Sequence, residues 1–99
     1  MAFGINKAEL ENWKRQVLKG EIAFLTHYWQ DERFPNTYTV TKVGCVWIPK
    51  LINWGKQYDL KAKWIHQHPL YPHFDLLGER QLMVLQQEGR YDHIKRFHL

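Results

Sequence analysis

The chain has 99 residues, 44% of them hydrophobic and 24% charged, with a formal net charge of +4. That length suits one core, read here as a single domain over 1–99, and the mild positive excess is compatible with an anionic partner without demanding one. A single cysteine, Cys45, excludes both an internal disulfide framework and a four-cysteine zinc site.

The stretch Met1 to Lys7 has no apolar run of the signal-peptide kind, and nowhere do about 20 apolar residues follow one another, so the cytoplasm is the expected location and no membrane is expected as a partner. Five Trp, five Tyr and five Phe supply enough ring area for a core without cross-links.

Asn6-Lys7-Ala8-Glu9 has the form of a capping box, and Leu10, Trp13 and Val17 recur at helical spacing. A helix is therefore predicted over Lys7 to Lys19, with Gly20 as its stop. Glu21 to Tyr28 is short, apolar and partly aromatic, as a buried strand would be. The polar stretch Gln30 to Asn36 is a loop. Thr37 to Val43 alternates and is rich in β-branched residues, which predicts a second strand antiparallel to the first. Pro49 suits the first turn of a second helix that runs to about Tyr58. Trp64-Ile65-His66 suggests a short third strand, and Pro69 and Pro72 forbid regular structure from His68 to His73. A third helix is predicted over Gly78 to Glu88, with Leu82 and Leu85 inward and Gly89 as its end. The remaining Arg90 to Leu99 reads as a tail, a short helix or a docking segment. The expected fold class is thus α+β: a small antiparallel or mixed sheet of two to three short strands with about three helices.

Chemistry concentrates at His27, Asp31, Arg33, His66, His68, His73 and Asp75, with Glu79 and Arg80 close behind. His66 and His68 are two apart, which in extended backbone places both rings on one face. Together with Asp75 they are the candidate metal ligands, since paired imidazoles and a carboxylate suit zinc or another divalent ion. His73 and Asp75 are the candidate acid–base pair. No zinc-hydrolase spacing, nucleotide-binding glycine loop or serine-nucleophile elbow occurs. An anion site needs fewer coincidences: His27, Arg33, His66, His73, Asp75 and Arg80 would line a pocket for a small nucleotide-like or phosphate-bearing ligand, with a helix N-terminus near Gly78 adding N–H donors. The competing readings are a proline-rich turn fixed by its own His73 and Asp75, a metal-dependent hydrolase or nuclease, and a nucleic-acid or protein interaction module. A nucleic-acid module would stack bases on Tyr28, Trp29, Trp47, Trp54 and Trp64, of which Trp29 is the tryptophan expected to be exposed, and contact phosphates through Lys50, Lys56, Lys61 and Lys63; a protein module would use Trp29 and the tail Arg90 to Leu99. Trp13, Trp54 and Trp64 have spacings that suit a core.

These residues also carry a resemblance. The runs MAFGI, GEIAFLTHYW and TVTKVGC resemble the uncharacterised YneQ-like small proteins of Bacillus-type bacteria over nearly the full length. More loosely, the run from Trp64 to Gln81 is similar to a bacterial and phage family of unknown function with a His-(Tyr/Phe)-Asp motif, here His73-Phe74-Asp75. The resemblance implies a small cytoplasmic domain with Trp64, His73 and Asp75 at family-like positions, and it implies no activity.

Overall fold

A computed structural model describes residues 4–99. Its elements are α1 (Lys7–Leu18), β1 (Ala23–Tyr28), β2 (Thr39–Gly44), α2 (Ile48–Lys56), a 3₁₀ turn (Ala62–Trp64), β3 (His73–Leu76), α3 (Gly78–Gln87) and α4 (Tyr91–Arg96). The three strands form one antiparallel sheet in the order β1-β2-β3, so the fold is α+β, as expected. Of the opening run MAFGI, Met1 to Phe3 lie outside the described residues.

The local signals act as the residue types dictate. Asn6 and Glu9 exchange side-chain-to-backbone hydrogen bonds in a capping box that starts α1, and Gly20 (φ +82°) ends it in the left-handed region. Two expectations need correction. The third strand is not Trp64–His66: Trp64 belongs to the 3₁₀ turn, and β3 begins at His73, directly after Pro72. Pro72 cannot donate to a ladder, but its carbonyl still accepts from Cys45 N at 3.2 Å, so the strand starts at the first residue with a free N–H. His66 joins the sheet only through a single antiparallel bridge to His73. In α3, Leu85 faces inward as expected, but its inward partners are Gln81 and Val84, and Leu82 is only half-buried.

The segment after Arg90 is no free tail. α4 docks through Phe97, which is buried and meets Tyr28 edge-on at 5.0 Å, and through Arg96, which pairs with Glu9. At the other end, Glu88 ties α3 to α2 by accepting from Trp54 Nε1 at 3.1 Å and from the Tyr58 hydroxyl.

Antiparallel register sorts the side chains onto two faces. Phe24, Val43 and Phe74 are cross-strand neighbours on one face, and there they meet Leu51, Trp54, Leu60 and Val84 in the larger core. Ala23, Gly44 and His73 are neighbours on the other face, as are Leu25, Lys42 and Asp75. Trp13 and Val17 of α1 cover the Ala23–Leu25 end of that second face.

The larger core contains a closed polar chain. Gln81 Nε2 donates to Thr41 Oγ1 (2.9 Å), and Thr39 donates to Gln81 Oε1 (3.0 Å). Thr41 and Thr26 hydroxyls are 2.7 Å apart, and Thr26 Oγ1 lies 2.9 Å from His93 Nδ1. Thr41 is fully buried, so its hydroxyl proton needs an acceptor, and Thr26 supplies it. Thr26 then donates to a bare Nδ1 lone pair, which requires a neutral His93. Burial holds the His93 pKa below its ordinary 6.5, more than Asp92 and Glu9 offset.

Two predictions follow from this packing. A Cβ at Gly44 would lie 2.7 Å from Trp13 Cζ2, 2.9 Å from Val17 and 3.2 Å from the Pro72 carbonyl, which is backbone and cannot swing away. Glycine to alanine in a strand ordinarily stabilises, but here overpacking wins: Gly44→Ala should cost about 1–3 kcal/mol in chemical denaturation, and an unchanged or higher stability would contradict the packing. For His93, the unfolded chain protonates near the ordinary 6.5 while the folded chain resists, so its contribution is present above that value and is lost as pH falls through the depressed folded value. Melting temperature should therefore drop on acidification from neutral pH, and His93→Gln, which keeps an acceptor but cannot be protonated, should shrink that drop.

Candidate functional site

α1 covers only part of its face of the sheet. Beyond Leu10 the strands open into a cavity of about 580 Å³, lined by His27, Val40, Lys42 and Asp75 from the sheet, by Trp29, Asp31, Arg33 and Phe34 from the β1–β2 loop, and by His66 and Leu77. Five residues singled out from the sequence (His27, Asp31, Arg33, His66 and Asp75) therefore meet around one space, although they span 49 positions of the chain, from 27 to 75. Cross-strand alternation does this: His27 pairs with Val40, Lys42 with Asp75, and all four point to the same side.

His27 is 3% exposed. Its Nδ1 lies 2.8 Å from the Tyr28 carbonyl, which can only accept, so Nδ1 carries the proton and Nε2 a lone pair. That Nε2 is buried and has no hydrogen-bond partner among the described residues. Burial pushes the His27 pKa down, the Tyr28 carbonyl partly offsets this, and the nearby Lys42 charge adds to the lowering, so the ring is neutral. Asp31 and Arg33 sit on the loop as a fork-like ion pair at 2.6 Å, and the guanidinium holds the Asp31 carboxyl down to about 2. Among the described residues no carboxylate lies within 4.0 Å of the Lys42 ammonium.

His66 and Asp75 line one side of the cavity, and His73 lies behind them, outside its lining. The His66–His73 bridge has both hydrogen bonds (2.8 and 3.3 Å), and the two rings stack at 5.1 Å with an angle of 13°. Asp75 is 2.8 Å from His66 Nε2 but 3.6 Å from His73 Nε2. The expected acid–base pair of His73 and Asp75 is therefore not hydrogen-bonded; His66 is the imidazole that Asp75 engages. His73 instead lies with its Nδ1 2.8 Å from the Tyr71 carbonyl and its ring edge-on to Trp13 at 6.1 Å. Burial lowers its pKa, against the Tyr71 carbonyl and the Asp75 charge.

Other candidates are not brought together. His68 is exposed, and its Nδ1 accepts from the backbone N–H groups of Leu70 and Tyr71, both at 3.1 Å, so it shapes the proline turn instead of sharing the metal-ligand cluster of His66, His73 and Asp75. Arg80 lies on α3 with its guanidinium 5.1 Å from the Trp64 ring and does not line the cavity. Asp75 does not cap α3, whose N-cap is Leu77. Cys45 is a fully buried free thiol. Trp29 is only half-buried and tilts against Phe34, whereas Trp47 and Trp64 are exposed at 67% and 40%, the reverse of the expected order. Lys42 and the Tyr71 carbonyl were not legible as site groups, because their places depend on a strand at 73–76 that the sequence pattern does not announce.

Small α+β proteins of this kind are defined by their sheet and its covering helices, and no helix among the described residues is long and apolar enough to cross a membrane. The chain is 59% identical, over all 99 residues and the full length of both chains, to the uncharacterized protein YneQ of Bacillus subtilis (strain 168). It belongs to the YneQ-like proteins, a family with no stated activity. No family model and no solved structure matches it, so the looser His-(Tyr/Phe)-Asp resemblance gains no support.

The role given to His68 is testable. Loss of two exposed backbone hydrogen bonds predicts that His68→Ala lowers folding stability by about 1 kcal/mol, with His68→Asn, which keeps an acceptor, costing less. Equal stabilities of the three proteins in urea titrations would remove that role.

Proposed function

We propose that the chain is a binding domain for a small phosphate-bearing ligand, seated in the cavity between the loop at Trp29–Phe34 and the open face of the sheet. The observation that supports this best is the buried, unpartnered Nε2 of His27 in the cavity wall. A buried acceptor without a donor costs about 1–3 kcal/mol, and such groups are retained where a ligand completes them. Because the ring is neutral with its proton on Nδ1, Nε2 asks for a hydroxyl or amine donor.

An unpaired cation supports the anionic part. Around the cavity the Asp31 carboxylate is paired with the Arg33 guanidinium, whereas the Lys42 ammonium makes no ion pair within 4.0 Å among the described residues. A ligand with a phosphate for Lys42 and a hydroxyl or amine for His27 fits both demands, as a sugar phosphate or a nucleotide does. Val40, Phe34, Trp29 and Leu77 supply the apolar wall that such a ligand's ring would contact. The cytoplasm, where such ligands are abundant, is the location this reading assumes.

Thermal-shift titration with inorganic phosphate, ribose 5-phosphate and adenosine monophosphate, all with chelator present, tests the reading. Stabilisation by one of the organic phosphates is expected. Lys42→Gln should weaken it about tenfold, or about 1.4 kcal/mol, and Asp31→Asn, which frees the Arg33 guanidinium at the rim, should strengthen it. A wild-type melting temperature that moves with none of the three at millimolar concentration would refute the proposal.

A further inference from the structure

One side of the cavity carries a second, separate feature. One ring nitrogen each of His66 and His73 and a carboxylate oxygen of Asp75 all lie within 4.8 Å of one another; each Nε2 is near the carboxylate, at 2.8 Å from His66 and 3.6 Å from His73. The backbone builds this cluster: the two-hydrogen-bond bridge sets the imidazoles side by side, and Asp75, two residues after His73 on the same strand, returns to the same face.

The chemistry of the pair His73–Asp75 is not settled within the chain. His73 Nδ1 donates to the Tyr71 carbonyl at 2.8 Å, so the neutral ring presents a bare lone pair at Nε2. That lone pair faces Asp75 Oδ1 at 3.6 Å. Two acceptors facing each other across such a gap repel unless a proton or a cation lies between them. His73 is largely shielded, with only 13% of its side chain exposed, so solvent has little room between the two acceptors. The hydrogen bond from Nδ1 to a backbone carbonyl is also the arrangement that fixes the tautomer and direction of metal-bound imidazoles.

We propose that His66, His73 and Asp75 bind one divalent transition-metal ion of the zinc type, with at least one coordination position open toward the cavity. Ligand bonds of roughly 2.0–2.2 Å put neighbouring donor atoms about 3.0–3.5 Å apart. The two imidazole–carboxylate separations, 2.8 and 3.6 Å, bracket that range, and no pair of donors in the cluster is more than 4.8 Å apart, so the side chains must close by about 1 Å at most. Two imidazoles and one carboxylate suit zinc, cobalt or nickel, and disfavour calcium and magnesium, which take oxygen ligands. In the metal-free chain His66 donates from Nε2 to Asp75; on binding, its remaining proton resides on Nδ1 and Nε2 turns to the ion. His66 is the exposed member, with 61% of its side chain open, so it supplies the side from which the ion enters. This site does not depend on phosphate binding: its ligands are other atoms, and neither His27 nor Lys42 is among them.

The test is a titration of the chelator-treated full chain with Zn²⁺ against a chromogenic competitor, repeated with Co²⁺ to read its visible absorption. One ion per chain is expected, with intense low-symmetry Co²⁺ bands. Asp75→Asn and His73→Ala should each weaken Zn²⁺ binding about tenfold or more, with helix and strand content checked by circular dichroism. His68→Asn, which keeps the turn, should leave the affinity unchanged. Asp75 is partly exposed on its strand, so Asp75→Asn decides the matter even where His73→Ala fails to fold. No uptake of either ion by the wild-type chain, or wild-type affinity in Asp75→Asn, overturns the proposal; phosphate binding under chelator would then stand untouched.

Discussion

Everything on both faces of this protein depends on the register of β2 between its two neighbours. With Lys42 opposite both Leu25 and Asp75, odd-numbered and even-numbered positions of three strands are committed to opposite sides. A slip by one residue would bury Lys42 among Leu51 and Phe74 and expose Val43, so the hydrophobic pattern specifies the register strongly. Gly44 is the second part of the same constraint. The missing side chain there lets Trp13 lie against the sheet, with its Nε1 donating to the Ala23 carbonyl at 3.0 Å, and Trp13 in turn holds the His73 ring edge-on.

The two faces treat polar groups in opposite ways. Toward α3 and α4, the chain from Thr39 through Gln81, Thr41 and Thr26 to His93 gives every buried donor an acceptor. Such a closed network stabilises and rigidifies a core. Toward the cavity, His27 Nε2 has no donor and His73 Nε2 faces another acceptor. Among the described residues, the one buried side-chain polar atom without a partner thus lies on the α1 side of the sheet. The asymmetry is physical and does not depend on which ligand completes it.

How far the sequence discloses this follows from which signals are local. The capping box at Asn6, the stop at Gly20 and the alternation of Thr37 to Val43 act over a few residues, and the corresponding elements form there, the strand beginning two residues later, at Thr39, and ending one later, at Gly44. β3 has no such signal. HFDL is four residues long, it follows a proline, and its strand character comes from pairing with Thr41–Gly44, some thirty positions away in the chain. Trp64 shows the converse: an aromatic beside Ile65 looks like strand, yet only Ile65 is buried, because the 3₁₀ turn rotates Trp64 out under Arg80 and Lys61. His27, His66 and Asp75 were legible as candidates from residue type. Lys42 was not, since a lysine in an alternating strand ordinarily faces water, and only the position of β3 makes it a cavity group.

The tautomers connect these observations to one another. Tyr28 and Tyr71 each offer a carbonyl to the Nδ1 of a nearby histidine at 2.8 Å, and each thereby turns an Nε2 lone pair toward the α1 face. At His27 the lone pair is enclosed and lies near the Lys42 charge, which disfavours a cation there and leaves a neutral donor as its natural complement. At His73 the lone pair has a carboxylate as neighbour, which disfavours an anion and calls for a cation. Two histidines set by the same backbone device, on the two outer strands of one sheet, thus face opposite electrostatic surroundings. On the two proposals, that difference would separate a ligand pocket at His27 and Lys42 from a metal site at His66, His73 and Asp75, and the open side of a bound ion would then face a phosphate at Lys42.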